Sequence, residues 1–377
     1  MSKTPLSMYV HIPFCVSKCI YCDFLSFADY DEGKIGLYVA ALCEDIRIFG
    51  EGFEDFDVET VFFGGGTPSL LTVAQFRQIL DVIQGSFRME SAHLGLEANP
   101  DTVDDVYLRS LYQLGFRRIS FGVQSFDDAH LVSIGRVHAA QTAINAVYMA
   151  SDAGFVDINI DLMYSLPNQS LEDFEITLDT ALSLPITHIS CYALTVEGGT
   201  PLGGEQCSSL RDMMPNEDDD RAMFEMAVQK LSDAGFKHYE ISNWARPTYG
   251  CRHNIGYWTH RQYVGFGISA ASFFSNKRWK KTDSLDGYID GDFAFKLDEE
   301  LDETALMAEY VMLGLRMMDG ISLLDFKIRF GVGLYATALG ERLEVFVKNG
   351  LLVKNADRLA LTQEGMNLSN RIFSDII

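Results

Sequence analysis

From residue 6 to about 240, this 377-residue chain alternates short β-rich runs with helical patterns, and that alternation narrows its folds more than any other feature. Strands are predicted over 7–12, 60–63, 93–97, 118–123, 157–163 and 188–193. Helices are predicted between them, over 35–49, 73–84, 103–114, 140–153 and 171–182. Repeated β–loop–α units imply a parallel sheet with right-handed crossovers. Six of them can curl into a partial (β/α)6 barrel of TIM type, where chemistry gathers at the C-terminal strand ends. The unusual residues fall there. Pro13, Phe14 and Cys15 follow the first strand, and Gly64-Gly65-Gly66-Thr67-Pro68 follows the second. The third ends in Glu97-Ala98-Asn99-Pro100, the fourth in Gln124-Ser125-Phe126, the fifth carries Asp161 and the sixth ends near Ala193.

Seven cysteines make an odd count, and three of them crowd into residues 15–22. Such a set reads as metal binding, not as a disulfide framework. Cys15, Cys19 and Cys22 stand in a C-x3-C-x2-C spacing. Four thiolates would saturate a [4Fe–4S] cubane. Three leave one iron open to a chelating amino-carboxylate, which S-adenosylmethionine offers through its methionine end. The rival is a zinc loop, which needs a fourth ligand close by. His11 could supply it, although it precedes the loop on the strand.

Charge excludes one large class of partner. With 30 Lys and Arg against 53 Asp and Glu, the formal net charge is −23, which repels phosphate backbones. No nucleic acid is expected. The first residues show no signal-peptide pattern, and no run approaches 18 apolar residues. A cytoplasmic protein without direct membrane insertion is therefore expected. Beyond Pro215, Asn216 suits a helix N-cap, and the acids at 217–220 suit the helix dipole. The block 300–377 is helical, with two short strand patterns around Asn355-Ala356-Asp357 that resemble a winged-helix wing. The expected divisions are a barrel over 1–240, a connecting segment over 241–299 and a smaller C-terminal helical domain over 300–377.

HIPFCVSKCIYCDF, FFGGGTPSLL, GLEANPD, RISFGVQSF, DLMYSLP and CRHNIGYW occur in this order from about Met8 onward. Together they resemble the coproporphyrinogen-oxidase-like branch of radical S-adenosylmethionine proteins. The resemblance implies a radical-SAM (β/α)6 partial barrel holding a [4Fe–4S] cluster and S-adenosylmethionine. It implies cofactor contacts at Gly65, Gly66, Thr67, Glu97, Gln124, Arg136 and Asp161, with Tyr9 and Tyr21 flanking and Ala193 and Ala271 as backbone or adenine contacts. A glycine loop also lets backbone amides approach a ligand closely. The fifth-strand motif departs from the family pattern, with Ser165 in place of glycine; a positive φ there would strain it mildly.

The branch holds two kinds of protein. Oxygen-independent coproporphyrinogen III oxidases carry a further cysteine two residues after the third, where this chain has Phe24, and a substantial N-terminal extension, where it has about seven residues. Both departures resemble HemW-type haem chaperones, which bind haem and deliver it to membrane-bound respiratory proteins. His253-Asn254-Ile255-Gly256-Tyr257-Trp258 matches their H-N-x-x-Y-W motif and makes His253 the candidate haem ligand. Cys251 is its rival, and packing is the ordinary role of either residue. Anaerobic reconstitution is expected to load about four irons and four sulfides per chain. Alanine at Cys15, Cys19 and Cys22 together should abolish the cluster's visible absorbance. A requirement for Cys43, Cys191, Cys207 or Cys251 would sink the open-iron argument.

Overall fold

The computed structural model describes residues 4–51 and 56–377. Six parallel strands form its centre: β1 (Thr4–Ile12), β2 (Phe56–Gly65), β3 (His93–Ala98), β4 (Phe116–Gln124), β5 (Asp157–Tyr164) and β6 (His188–Ala193). Each pairs with the next in chain order. The crossovers carry α1 (Glu32–Gly50), α2 (Val73–Ser86), α3 (Asp105–Gln113), α4 (Asp128–Ser133) with α5 (Ala140–Ala153), and α6 (Leu171–Leu182). Thr72 and Ser170 start α2 and α6 with reciprocal capping boxes. Only the short α4 escaped the sequence pattern.

The strands are buried on both faces, as parallel strands must be. On β1, Leu6, Met8, Val10 and Ile12 are fully buried in the apolar layer under the helices. Tyr9 and His11 point the other way, into the barrel. The same parity runs around the sheet. Ile119, Phe121 and Val123 of β4 and Ile158, Ile160 and Leu162 of β5 join the apolar layer. The intervening Arg118, Ser120, Asp157, Asn159 and Asp161 bond to one another inside.

From residue 237 and on through the connector expected over 241–299, the chain adds strands to the sheet. At one edge lie β7 (Lys237–Glu240) and β8 (Asn243–Ala245), with β8 antiparallel to β6. At the other, β9 (Tyr263–Phe266) runs parallel to β1, followed outward by β10 (Ala271–Phe274), β11 (Lys277–Lys280) and β12 (Lys296–Glu300). The result is an open sheet of 12 strands among the described residues. Between the edges, helix Arg252–Trp258 lies against the inner faces of β1 and β2. His253 bonds Thr60 there, and a Cβ at Gly256 would stand 3.0 Å from Ser7 Oγ.

The C-terminal part packs helices Glu303–Gly314, Leu323–Phe330, Ala338–Lys348 and Ser369–Ile376 around its own core of Val311, Leu315, Phe326, Leu343 and Ile372. It also holds a small sheet: β13 (Ile321–Ser322), β14 (Leu352–Lys354) and β15 (Arg358–Leu361), with β15 central. Asn355 Oδ1 accepts from the amides of Asp357 and Arg358 and closes the β14–β15 turn. Backbone bonds Ile241–Arg316 and Met318–Tyr239 and the Arg316 guanidinium over the Trp258 ring, at 4.5 Å, join this part to the barrel. No helix among the described residues is long and apolar enough to cross a membrane.

Ser165 does adopt a positive φ, at 59°. Its hydroxyl donates to Asp220 at 2.5 Å, in the first turn of helix Glu217–Asp233, which Asn216 caps. That bond offsets the conformational cost glycine would avoid. A second buried tie fixes α1: Lys281 Nζ meets Asp45 at 2.7 Å, and the Tyr288 hydroxyl donates to the same carboxylate at 2.7 Å. Lys281→Met would strand Asp45 as an uncompensated buried charge. We expect a loss of about 3–5 kcal/mol, read from the urea midpoint; an unchanged midpoint would show that the pair contributes nothing.

Candidate functional site

The site begins where β1 and β2 end. The amide of Gly66 donates to Ile12 O at 2.8 Å and that of Thr67 to Phe14 O at 2.7 Å, so the glycine loop is bonded to the start of the cysteine loop. A Cβ at position 66 would lie 2.6 Å from Phe14 O. Gly65 has φ +110°, and the His11 ring occupies the space its side chain would need. The Gly65 amide donates to Glu97 Oε2 at 3.1 Å. These three amides, expected from sequence to approach a cofactor, are thus bonded within the protein.

Each cysteine sulfur faces a donor. Thr67 Oγ1 donates to Cys15 Sγ at 3.6 Å, and Arg136 Nη1 to Cys19 Sγ at 3.6 Å. The Phe24 amide bonds Cys22. Asn99, which sequence reasoning passed over as loop punctuation, donates to Thr67 Oγ1 at 3.0 Å and accepts from Arg136 Nη2 at 2.8 Å. Tyr21 is hydrogen-bonded to Cys19, with burial pushing its phenol pKa up. Each of the three sulfurs thus has a donor, as thiolate ligands do. Burial nevertheless holds the Cys22 thiol above its ordinary value, and among the described residues the three sulfurs are not drawn together as a metal-binding group. His11 does not join them. Its Nδ1 bonds Tyr9 OH at 3.0 Å and its Nε2 bonds Leu25 O at 3.1 Å, so the ring is engaged away from the three sulfurs.

Inside the barrel, Glu97 and Asp161 project from β3 and β5. Burial first, and then the Asp161 charge, push the Glu97 carboxyl up to about 8, so the Gly65 amide bonds a largely neutral acid at pH 7. Burial also raises Asp161, against hydrogen bonds from Ser190, Asn159 and Ser120. Gln124 takes φ 68° at the end of β4 and accepts from Tyr192 OH at 3.3 Å. Ala193 has the opposite parity: its methyl packs against the apolar layer, so only its backbone can face the site. Tyr192, one residue earlier, is the inward side chain.

Tyr9, Gly65, Glu97, Ala271 and His253 line one cavity of about 610 Å3. Phe62, Tyr257, Trp258, Tyr263 and Phe273 give it an aromatic wall, and Glu309 and Leu313 of the C-terminal part close it further. Sequence reasoning missed Tyr263, Phe273 and Arg278, which arrive on the added strands. His253 is 4% exposed and stacks on Phe62 at 5.2 Å between centroids. Its Nδ1 meets Thr60 Oγ1 at 2.8 Å and its Nε2 meets Tyr257 OH at 2.9 Å. Burial, then the charge of Arg261, lower its pKa to about 3, so the imidazole is neutral at any physiological pH. Cys251, buried at the start of the same helix, is not part of the cavity lining.

An open parallel barrel carrying three donor-bonded cysteines on its rim defines a radical S-adenosylmethionine protein. The Radical SAM superfamily model matches residues 9–181, and the HemN C-terminal domain model matches 301–368. The chain belongs, more narrowly, to the HemW family. It is 34% identical to the heme chaperone HemW of Escherichia coli, covering 98% of this chain and 97% of that one. It is 33% identical to the Bacillus subtilis protein of the same name (97% and 98% covered) and 31% identical to that of Lactococcus lactis (100% and 98%). Among solved structures, it resembles coproporphyrinogen III oxidase (HemN) from E. coli, with a TM-score of 0.86 and 22% identity over 100% of this chain and 91% of that one, a likeness of fold.

A raised carboxyl pKa has a defined sign. The folded protein holds the Glu97 proton between the ordinary value of 4.5 and about 8, whereas the unfolded chain releases it. Stability from this group is therefore full below pH 4.5 and lost as pH rises through 8. Glu97→Gln should gain on the wild type between pH 6 and 9, by on the order of 2 kcal/mol. Urea titrations at several pH values check it, and a gap that stays flat with pH refutes the shift.

Proposed function

We propose that this protein carries haem in the cavity beside its cysteine loop and delivers it to haem-requiring respiratory proteins at the membrane. The observation that carries this reading is the cavity. Its volume of about 610 Å3 lies within the roughly 300–1,000 Å3 of cofactor-sized sites. Phe62, Tyr257, Tyr263 and Phe273 line it with aromatic surface suited to a flat apolar ligand. Arg261 and Arg278 can meet its carboxylates, although each now pairs with an acid, Glu59 at 2.7 Å and Glu309 at 2.7 Å. The relatives named heme chaperones match the chain from end to end.

His253 Nε2 is the proposed axial ligand. The Tyr257 hydroxyl must yield its 2.9 Å bond for that, while Thr60 continues to orient the ring through Nδ1. Cys251, away from the lining, is the poorer candidate. Cys15, Cys19 and Cys22 would hold a [4Fe–4S] cluster with one iron open. Tyr9, Tyr21, Gly65, Gly66, Thr67, Glu97, Gln124, Arg136, Asp161, Ala193 and Ala271 are assigned to S-adenosylmethionine. When reduced, such a cluster supplies an electron to the cofactor's sulfonium. With the loop amides already bonded within the protein, Glu97 is the group that would meet the cofactor's ammonium, and a cation there would return it to its charged form.

Haem titrated into the reconstituted protein should bind near one per chain, and His253→Ala should weaken it about tenfold, or about 1.4 kcal/mol. Coproporphyrinogen III, supplied with cofactor and reductant, should remain unconverted, since Phe24 stands where the oxidases carry their extra cysteine. Robust protoporphyrinogen formation would overturn the carrier in favour of the oxidase. Tight haem binding that ignores His253 would move the iron ligand elsewhere.

A further inference from the structure

Phe24 is 66% exposed, while the other aromatics lining the cavity are buried or half-buried. Its backbone is pinned. The amide bonds Cys22, the carbonyl accepts from Lys18 Nζ at 3.1 Å and from Ser26 Oγ at 3.4 Å, and His11 holds the next carbonyl, Leu25 O. Leu25 and Ser26 turn inward while the Phe24 ring is held out at the cavity rim. A large apolar side chain fixed in that position gains little from its own fold. We infer that Phe24 covers the exposed face of the bound tetrapyrrole by ring stacking, an assignment that rests on the haem-carrier reading above. The chemistry is independent of iron. A phenyl ring and a porphyrin attract through apolar burial and offset stacking, so a metal-free porphyrin should feel Phe24 as strongly as haem does.

The test titrates haem and metal-free protoporphyrin IX into cluster-loaded wild type and the variants Phe24→Ala, Phe24→Leu and Phe24→Trp, with cluster content measured in each. Phe24→Ala should weaken both ligands about tenfold, chiefly through faster dissociation. Phe24→Trp should bind like wild type, and Phe24→Leu should fall between, since it keeps apolar volume and loses the ring. His253→Ala provides the contrast, because it should weaken haem and leave the metal-free porphyrin unchanged. If Phe24→Ala binds both ligands as tightly as wild type, the inference is wrong. Equal binding by the Leu and Trp variants overturns the ring-stacking role, and the Leu variant settles the matter should the Ala variant lose its cluster. Failure of wild type to bind either ligand overturns the carrier reading itself, an outcome distinct from tight binding that ignores Phe24.

Discussion

Two backbone hydrogen bonds, Gly66 to Ile12 and Thr67 to Phe14, hold the arrangement of the rim. They extend the β1–β2 ladder past the strand ends, where Ile12 already pairs with Gly65. The cysteine loop begins at the residue after Phe14, so its first sulfur is placed by the ladder. From there the ties pass around the rim: Thr67 to Cys15, Asn99 to Thr67 and Arg136, Arg136 to Cys19. Residues following β2, β3 and β4 thus grip the one loop that follows β1. Each bond contributes only about 0.5–1.5 kcal/mol net. Their joint effect is position, and glycine at 66 is the condition for it.

The barrel interior departs from the apolar filling usual in closed TIM barrels. Arg118 bonds Asp157 at 2.6 Å, His188 bridges Asn159 and Tyr239, and Asn159 and Ser120 reach Asp161. Buried polar groups without partners are costly, and here they are mostly satisfied by one another. Polar matter inside the barrel is what gives Glu97 and Asp161 their setting: enough hydrogen bonds to stay buried, too little water to ionise freely.

Much of this was legible in the sequence because the strands obey a strict period. Once β5 is seen as alternating, the inward residues of 157–161 are fixed by parity, and Asp161 is among them. Parity also narrows the Ala193 assignment to its backbone, since its side chain belongs to the outer layer. Other parts left no such mark. Strand β12 reads KLDEE and is exposed throughout, and β11 reads KRWK. Charged residues protect an edge, and they also erase the apolar alternation by which a strand is recognised. The His253–Thr60 contact spans 193 positions. The H-N-x-x-Y-W motif marked His253, but only the folded chain reveals that both its nitrogens are engaged.

The cavity is assembled from distant parts of one covalent thread. One side of it comes from Tyr9 to Glu97, including Asp23, Phe24 and Leu25 just after the cysteines, whereas Tyr257, Tyr263 and Phe273 follow much later and Glu309 and Leu313 later still. On a ribosome, the three cysteines and the glycine loop that positions them emerge long before the aromatic wall exists. Closing so long a loop carries an entropic cost that grows only slowly with its length, but it cannot begin until the far end has been made. The order of synthesis is therefore also an order of assembly: the rim is complete while the cavity still lacks a wall, and the cavity closes only once the chain has been made as far as Leu313.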